Sequence, residues 1–263
     1  MDLGLRDKVI MVAASSRGLG FGIAKAAASA GARLSLASRT QSDIESAAAG
    51  LTEDYGVETA AFVMDATDAD SIAAWAEGTF ERFGRIDGLV VNAGGPPAGK
   101  FDAFDDAAWE SAFNLTLMSG VRMIRAVLPA MRRQQSGAIL TITSSSVKEP
   151  IDFLLLSNVF RAGVVALAKS LATDLAGTGI RVNNIVPGQI DTDRVQANDR
   201  FAAGKAGIPV EEQRSRRQAA IPMGRYGTPD EFGRVGAFLL SDAASYMTGA
   251  TILVDGGKSH TVW

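Results

Sequence analysis

The sequence predicts an α/β protein, a doubly wound parallel sheet with helices on both faces. Three observations lead there. Short apolar, partly β-branched runs alternate with longer stretches of helical spacing rich in Ala, Leu, Glu, Lys and Arg. The short runs are apolar on successive residues, as strands buried on both sides of a parallel sheet are. No Pro-rich or Gly/Ser-rich linker, repeat or low-complexity tract divides the 263 residues, so one domain over 1–263 is expected.

The first run, VIMVAA at 9–14, passes directly into Ala13-Ala14-Ser15-Ser16-Arg17-Gly18-Leu19-Gly20 and an Ala-rich helix expected over 18–30. Glycines behind a first strand let backbone N–H groups approach a pyrophosphate at the positive end of the helix. The spacing departs from GxGxxG, and two glycines at a helix start also serve plain packing; the position in the chain is what favours phosphate. The second run, RLSLAS at 33–38, ends at Ser38-Arg39-Thr40, where a dinucleotide fold usually places a carboxylate for the ribose diol. None is present. Arg39 and Arg17 offer two guanidinium groups suited to a 2'-phosphate, which points to NADP(H) over NAD(H); the alternative is a pair of solvated loop arginines. The third run, TAAFVMD at 59–65, ends at Asp65, which either accepts from an adenine amino group or caps the next helix, expected over 68–83.

Further runs follow at GLVVNA (88–93), AILTIT (138–143), RVNNIVP (181–187) and ATILVD (250–255), with helical stretches at 106–133, 157–176 and 229–241. In the second of these, Val164, Leu167, Ala168, Leu171, Ala172 and Leu175 recur at the spacing of a face packed on a core. The interval 189–228 shows no clear period and is too long for an ordinary connection, so it is expected to be a lid or substrate loop. Ligands of such sheets bind beyond the carboxyl ends of the strands.

Composition narrows the function classes. With 47% hydrophobic residues a sizeable core is available, and the absence of Cys removes disulfides, thiolate metal sites and thiol nucleophiles. The single His260 cannot build a histidine metal cluster and is expected at the surface or an interface. A net charge of -3 gives no broad attraction to nucleic acid or anionic membrane. The opening MDLGLRDKVI is too charged for a signal peptide, and no apolar run approaches the ~18 residues of a membrane span, so a cytoplasmic protein is expected.

With AASSRGLG near the start, NAG at 92–94, Asn114 within WESAFNLT, Ser144 after the fifth strand, PG at 187–188 and VDGG at 254–257, the chain resembles the short-chain dehydrogenase/reductase family, notably its 3-oxoacyl-ACP reductase-like members. The likeness covers essentially the whole sequence in the family's order. It implies a Rossmann-type sheet of about seven strands, a nicotinamide cofactor and a homotetramer or dimer. It also implies a cofactor site of Ala14, Ser15, Ser16, Arg17, Gly18, Leu19 and Gly20 at the phosphate turn, with Ser38, Arg39, Asp65 and Ala66 at the adenosine end. Asn92, Ala93 and Gly94 would brace that end, Pro187, Gly188 and Ile190 would lie along the nicotinamide half, and Thr192 would reach the carboxamide or pyrophosphate. Asn114 would hold a water beside the active site from within its helix. Ser144 matches the family's substrate-binding Ser, with Ser145 and Ser146 as neighbouring hydroxyls.

Two departures from the family pattern stand out. Ala14 replaces the first Gly, which costs stability if the backbone there has positive φ. Ser157 and Arg161 occupy the positions of the family's Tyr and Lys, 13 and 17 residues after Ser144. Ser157 is a far weaker acid than a phenol and sits closer to the backbone, which leaves polar space for a water. Arg161 keeps the positive charge and can bond ribose hydroxyls, but with a pKa above ~12 it would not pass protons. Loss of a general acid costs ~10² to 10⁴ in rate, and positioning of donor and acceptor offsets more than that. The expected function is therefore NADP(H)-dependent reduction of a carbonyl or activated C=C in an apolar small molecule or acyl thioester, with Ser144, Ser157, Arg161 and Asn114 as catalytic candidates. The alternatives are a non-catalytic NADP(H)-binding sensor or partner-binding module, and a different Rossmann-type enzyme such as a methyltransferase.

KEPIDFLLL at 148–156, PPAGK at 96–100 and the 189–228 interval are expected to frame the substrate opening, with Phe153, Leu154, Leu155, Leu156, Phe201 and Met223 as apolar candidates. Lys148 is a candidate surrogate donor. Arg214, Arg216 and Arg217 either hold an acidic acyl carrier or coenzyme A, or belong to a solvated helix face.

Overall fold

Successive residues of the strands divide the core into two layers. The computed structural model describes residues 2–262, so Met1 and Trp263, the ends of the expected domain, lie outside the described residues. Seven strands, β1 (Val9–Ala13), β2 (Arg33–Ser38), β3 (Thr59–Val63), β4 (Gly88–Val91), β5 (Gly137–Ile142), β6 (Ile180–Pro187) and β7 (Thr251–Val254), form one sheet in the order β3-β2-β1-β4-β5-β6-β7. Every pairing is parallel. On one face Ile10, Val12, Leu34, Leu36, Val90 and Leu140 meet helices α1 (Gly18–Ser29), α2 (Gln41–Tyr55) and α9 (Pro229–Leu240). On the other, Met11, Ala13, Leu89, Val91, Ile139 and Val182 meet α3 (Ala69–Phe83), α5 (Ser119–Gln134) and α6 (Leu155–Leu175). This is the arrangement that strands apolar on both sides require.

The chain reverses direction across the sheet between β1 and β4, and the crevice at that switch opens beyond their carboxyl ends. Asn92, just past β4, donates through Nδ2 to the carbonyl of Ala14, just past β1, at 3.3 Å. That bond ties the two lips of the crevice together.

Three parts of the chain differ from the sequence expectation. The expected helix over 106–133 is two helices, α4 (Asp106–Phe113) and α5, joined by a π turn at Asn114–Met118. The 189–228 interval is largely helical, with α7 (Asp193–Ala206) and α8 (Val210–Ala219). Its weak periodicity has a physical cause: α8 has no buried residue, and α7 buries only Asp199 and Ala203. Finally, the segment Leu155–Thr178 is long and apolar enough to cross a membrane by length and composition, contrary to the expectation that no run is. Val164, Ala168, Ala172 and Leu175 are its inward face, and only 22% of its most apolar window is buried, so an apolar outer face stays open.

Candidate active site

The first turn is strained where the sequence lacks its glycine. Ala14 has φ +48°, in the left-handed region that Cβ disfavours. Gly18 follows at φ +65°. At Gly20 a Cβ would stand 2.6 Å from the Ala14 carbonyl oxygen and 3.1 Å from Asn92 Nδ2, so only glycine lets α1 approach the turn this closely. The amino end of α1 is otherwise unclaimed: Arg17 at the cap makes no side-chain capping bond, and the first turn has no acidic residue. Free N–H groups and the positive helix end therefore face the crevice, a donor set that fits a pyrophosphate.

Not every residue of the turn presents its side chain to a ligand. Ser15 is buried, donating to the Val12 carbonyl at 2.8 Å and accepting from the Ala37 N–H at 3.2 Å, so its hydroxyl braces β1 to β2 and is not free for a cofactor. Leu19 packs on the core, leaving only its backbone to the turn. Ser16 is half-buried beside Arg17.

At the expected adenosine end, Arg17 and Arg39 are exposed. Arg17 makes a loose pair with Asp193 at 3.7 Å, both side chains largely in solvent. Arg39 makes no ion pair with a described residue, and Ser38 Oγ donates to the Thr40 carbonyl at 3.3 Å. Asp65 does not cap α3; that cap is Asp68, which accepts from the Asp70 N–H at 2.9 Å. Instead Asp65 Oδ1 accepts from the Thr67 N–H and hydroxyl, both at 2.8 Å. These two bonds, and to a lesser degree the Arg39 charge, hold its carboxyl below the ordinary range. Its Oδ2 makes no bond to a described residue. Ala66 beside it packs on the second core layer.

Beyond β4, Asn92 and Ala93 are half-buried and Gly94 is exposed. Beyond β6, the Gly188 N–H donates to the Val254 carbonyl at 2.9 Å, which pins the Pro187-Gly188 turn to β7. Ile190 is 3% exposed and belongs to the core, so its side chain supports the site from behind. Thr192 caps α7 by accepting from the Val195 N–H at 3.4 Å, and its methyl carbon is 3.8 Å from where a Gly18 Cβ would stand. The start of α7 thus lies against the phosphate turn.

The catalytic candidates gather at the end of β5. Ser144 Oγ accepts from the Ser146 N–H at 3.2 Å and remains half-buried, whereas the Ser146 hydroxyl is buried without a partner. Ser144 is therefore the hydroxyl of the three that combines partial access with a fixed position. Ser157, in the first turn of α6, is half-buried, and its hydroxyl makes no bond to a described residue. Arg161 reaches under the turn to donate through Nη1 to the Ile142 carbonyl at 2.7 Å. Burial, and secondarily the charge of Arg194, push the Arg161 guanidinium down to about 10 from its ordinary value, below what the sequence alone suggests but still a cation at neutral pH. Asn114 donates through Nδ2 to the Thr67 carbonyl at 3.1 Å, and its Oδ1 accepts from Arg122, which ties its side chain to the β3–α3 loop and leaves one N–H and one lone pair unspent. The residue that the π turn buries is Thr116, whose hydroxyl has no partner.

Arg194 is the residue beside the site that a reading of the sequence misses, and the sequence candidates around the opening fall in different places. Arg194 in α7 lies against Gly95, its Nη2 2.7 Å from where a Gly95 Cβ would be. Phe153, at φ +59°, holds Lys100 Nζ at 4.7 Å and Lys205 Nζ at 4.3 Å over its ring, which links α7 to the loop after β4. Leu156 is buried, while Phe153, Phe201 and Met223 are exposed. Lys148 is half-buried, and His260 is exposed, as expected for a surface residue. Arg214 and Arg217 are half-buried, not on a solvated face: both pair with the buried Asp199, which also accepts from Tyr226 Oη. Only Arg216, paired with Glu212 four residues earlier, lies on an exposed face.

Comparison with known proteins agrees with this geometry. A family profile described as Enoyl-(Acyl carrier protein) reductase matches residues 13–259. The chain is 33% identical over 256 residues to a putative ketoacyl reductase of the monensin polyketide synthase from Streptomyces virginiae, covering 97% of this chain and 98% of that one. It is 31% identical over 255 residues to a 3-oxoacyl-(acyl-carrier-protein) reductase of Escherichia coli, with 97% and 98% covered. A crystal structure of L-sorbose reductase from Gluconobacter frateurii, complexed with NADPH and L-sorbose, superposes with a TM-score of 0.95 at 30% identity over 100% of both chains.

Proposed function

The chain belongs to the short-chain dehydrogenase/reductase family, and from that premise we propose that it is an NADP(H)-dependent oxidoreductase reducing a carbonyl or activated C=C of a small molecule, with Ser144, Ser157 and Arg161 in place of the family's acid. NADP(H) is supported by the unclaimed amino end of α1 together with the unpaired Arg39 and loosely paired Arg17, and by a bound NADPH in the L-sorbose reductase structure. Gly18 and the neighbouring backbone N–H groups would hold the pyrophosphate, Arg17 and Arg39 the 2'-phosphate, and Asp65 Oδ2 the adenine amino group. The bound cofactor supplies the hydride.

The observation that carries the reading is the Arg161 guanidinium, fixed on the Ile142 carbonyl beside Ser144. Oxygen charge that develops during reduction needs a preorganised donor in a site shielded from water. Ser144 offers a fixed hydroxyl, and Arg161 a cation whose remaining N–H groups also suit a ribose diol. Arg161, at about 10, stays charged at neutral pH and is committed to holding the oxygen charge, so a water held in the space above Ser157 passes on the proton. Steady-state oxidation of NADPH against a panel of ketones, quinones and enones tests the proposal. Turnover with at least one class supports it; tight NADPH binding with none would make the chain a non-catalytic NADP(H)-binding module.

The open apolar face of α6 supports a homo-oligomer. Val159 is exposed on it, and Trp109, Phe113 and Phe160 form an aromatic cluster between α4 and α6. Light scattering on the eluting protein is expected to give a dimer or tetramer, reduced to a monomer by Val159→Glu with Phe113→Glu.

A further inference from the structure

We propose that Glu149 is a positioning residue that fixes the segment after β7 across the substrate opening, and that the wall so formed limits the bulk of the ketone admitted. This rests on the oxidoreductase reading above and names a determinant of its substrate range. Glu149 is anchored beside the catalytic candidates: its N–H donates to the carbonyl of Ser145, the residue after Ser144, at 3.2 Å. Its Oε1 reaches the other way and accepts from the His260 N–H at 2.9 Å, a contact between positions 111 residues apart. Among the described residues this is the one hydrogen bond that joins the loop after β5 to the segment after β7.

The segment that Glu149 holds is built to lie in one place. Gly256 and Gly257 turn it at φ +67° and +83°, and Asp255 fastens the turn by accepting from the Gly257 and Ser259 N–H groups, both at 2.9 Å. The Met223 N–H donates to the Gly256 carbonyl at 3.2 Å, which ties the turn to the chain after α8. From there the chain runs to Glu149 with Lys258, Ser259 and Thr261 half-buried, and the Thr261 hydroxyl is shut off from solvent without a partner, so one side of the segment faces inward. The loop after β5 is held on its other flank by Phe153, whose carbonyl accepts from the Gly99 N–H at 2.7 Å and whose ring carries Lys205 of α7 at 4.3 Å. Contacts therefore pass from the loop after β5 to α7, through Asp199 to α8, on to Met223 and the segment after β7, and return through Glu149. Glu149 closes this ring with a single exposed side chain. Loss of one charge-assisted hydrogen bond shifts an equilibrium by about tenfold or more, enough to open the ring while the sheet stays folded.

Calorimetric titration of the full chain, saturated with NADP+, with cyclohexanone and with the bulkier 1-decalone tests this, together with hydrogen exchange on the same proteins. Glu149→Ala should shift the ratio of the two affinities at least about tenfold towards 1-decalone and quicken exchange over 256–262, with β5 and α6 unaffected. Glu149→Gln, whose amide oxygen still accepts from His260, should keep both readouts near those of the natural protein. Quickened exchange with an unchanged ratio overturns the proposal, since the segment then lies outside the opening. Unchanged exchange overturns it as well, because the segment is then held without Glu149, and so does binding of neither ketone by either protein. The expected shift without NADPH oxidation would leave the wall standing and refute the oxidoreductase reading; NADPH oxidation with an unchanged ratio would do the reverse.

Discussion

Arg161 of α6 donates through Nη1 to the carbonyl oxygen of Ile142 at 2.7 Å, which fixes a half-buried cation at the carboxyl end of β5, two residues before Ser144. The family places a Lys at this position, and that resemblance gives the charge a place in the chemistry. The bond adds what a Lys does not: a rigid planar group with several donors held at one angle.

Because burial lowers the Arg161 pKa to about 10, the free enzyme should lose kcat/KM on the alkaline side with an apparent pKa near that value. Arg161→Met should abolish this limb and lower kcat by ~10² to 10³, as removal of one preorganised donor does. A natural enzyme that is flat through that range, or an Arg161→Met variant with the same limb, would show that the cation takes no part.

Ala14 at φ +48° invites a stabilising change. The left-handed conformation costs a residue with a Cβ ~1–2 kcal/mol, against ~0.4–1 kcal/mol of extra unfolded-chain entropy for glycine. Ala14→Gly should therefore raise the melting temperature by up to a few degrees, at ~2–4 °C per kcal/mol for a chain of this size. A lowered melting temperature would mean the turn is not strained.

Asp199 is the hub of the segment from α7 to α8. It is fully buried, and Arg217 at 2.6 Å, Arg214 at 3.5 Å and the Tyr226 hydroxyl at 3.1 Å converge on its carboxylate. Asp199→Asn removes the ion-pair partner of Arg217, while Arg214 keeps Asp191 at 2.9 Å, so the loss falls on the α7–α8 packing. Hydrogen exchange should quicken first across 193–219, before the sheet is affected. Uniform acceleration over the whole chain would contradict that local role.

Glu231 predicts an acid-side slope in stability. It completes a capping box with Thr228 at the start of α9 and pairs with Arg225 at 2.6 Å. Arg225 first, then the Thr228 backbone, hold its carboxyl at about 2 instead of the ordinary 4.5. A depressed folded pKa stabilises above the unfolded value, so this contribution is complete above 4.5 and is lost as pH falls from 4.5 through about 2. Melting temperatures measured through that window should fall less steeply for Glu231→Gln than for the natural protein.

The parts of the fold legible in the sequence were those written by core contacts. The run RLSLAS is β2 without adjustment, and the face from Leu167 to Leu175 lines one core layer, because burial on both sides of a sheet or along one side of a helix imposes its period directly. The helices α7 and α8 were illegible because they bury almost nothing; polar pairs such as Arg217–Asp199 hold them, and such pairs leave no period. The same reason hid the break at Asn114, where a π turn changes which side chain turns inward without changing the apolar pattern. In the site, residues placed by a strand end, such as Ser144 and Asn92, could be read in advance. Arg194 could not, since its position depends on how α7 folds back over Gly95.

The central claim is that a phosphorylated dinucleotide sits on the amino end of α1 with Arg17 and Arg39 at its adenosine end. Calorimetric titration of the chain with NADPH and with NADH tests it most directly. NADPH should bind at least about tenfold more tightly than NADH, and Arg39→Ala should erase most of the difference. Equal affinities, or no uptake of either nucleotide, would contradict it.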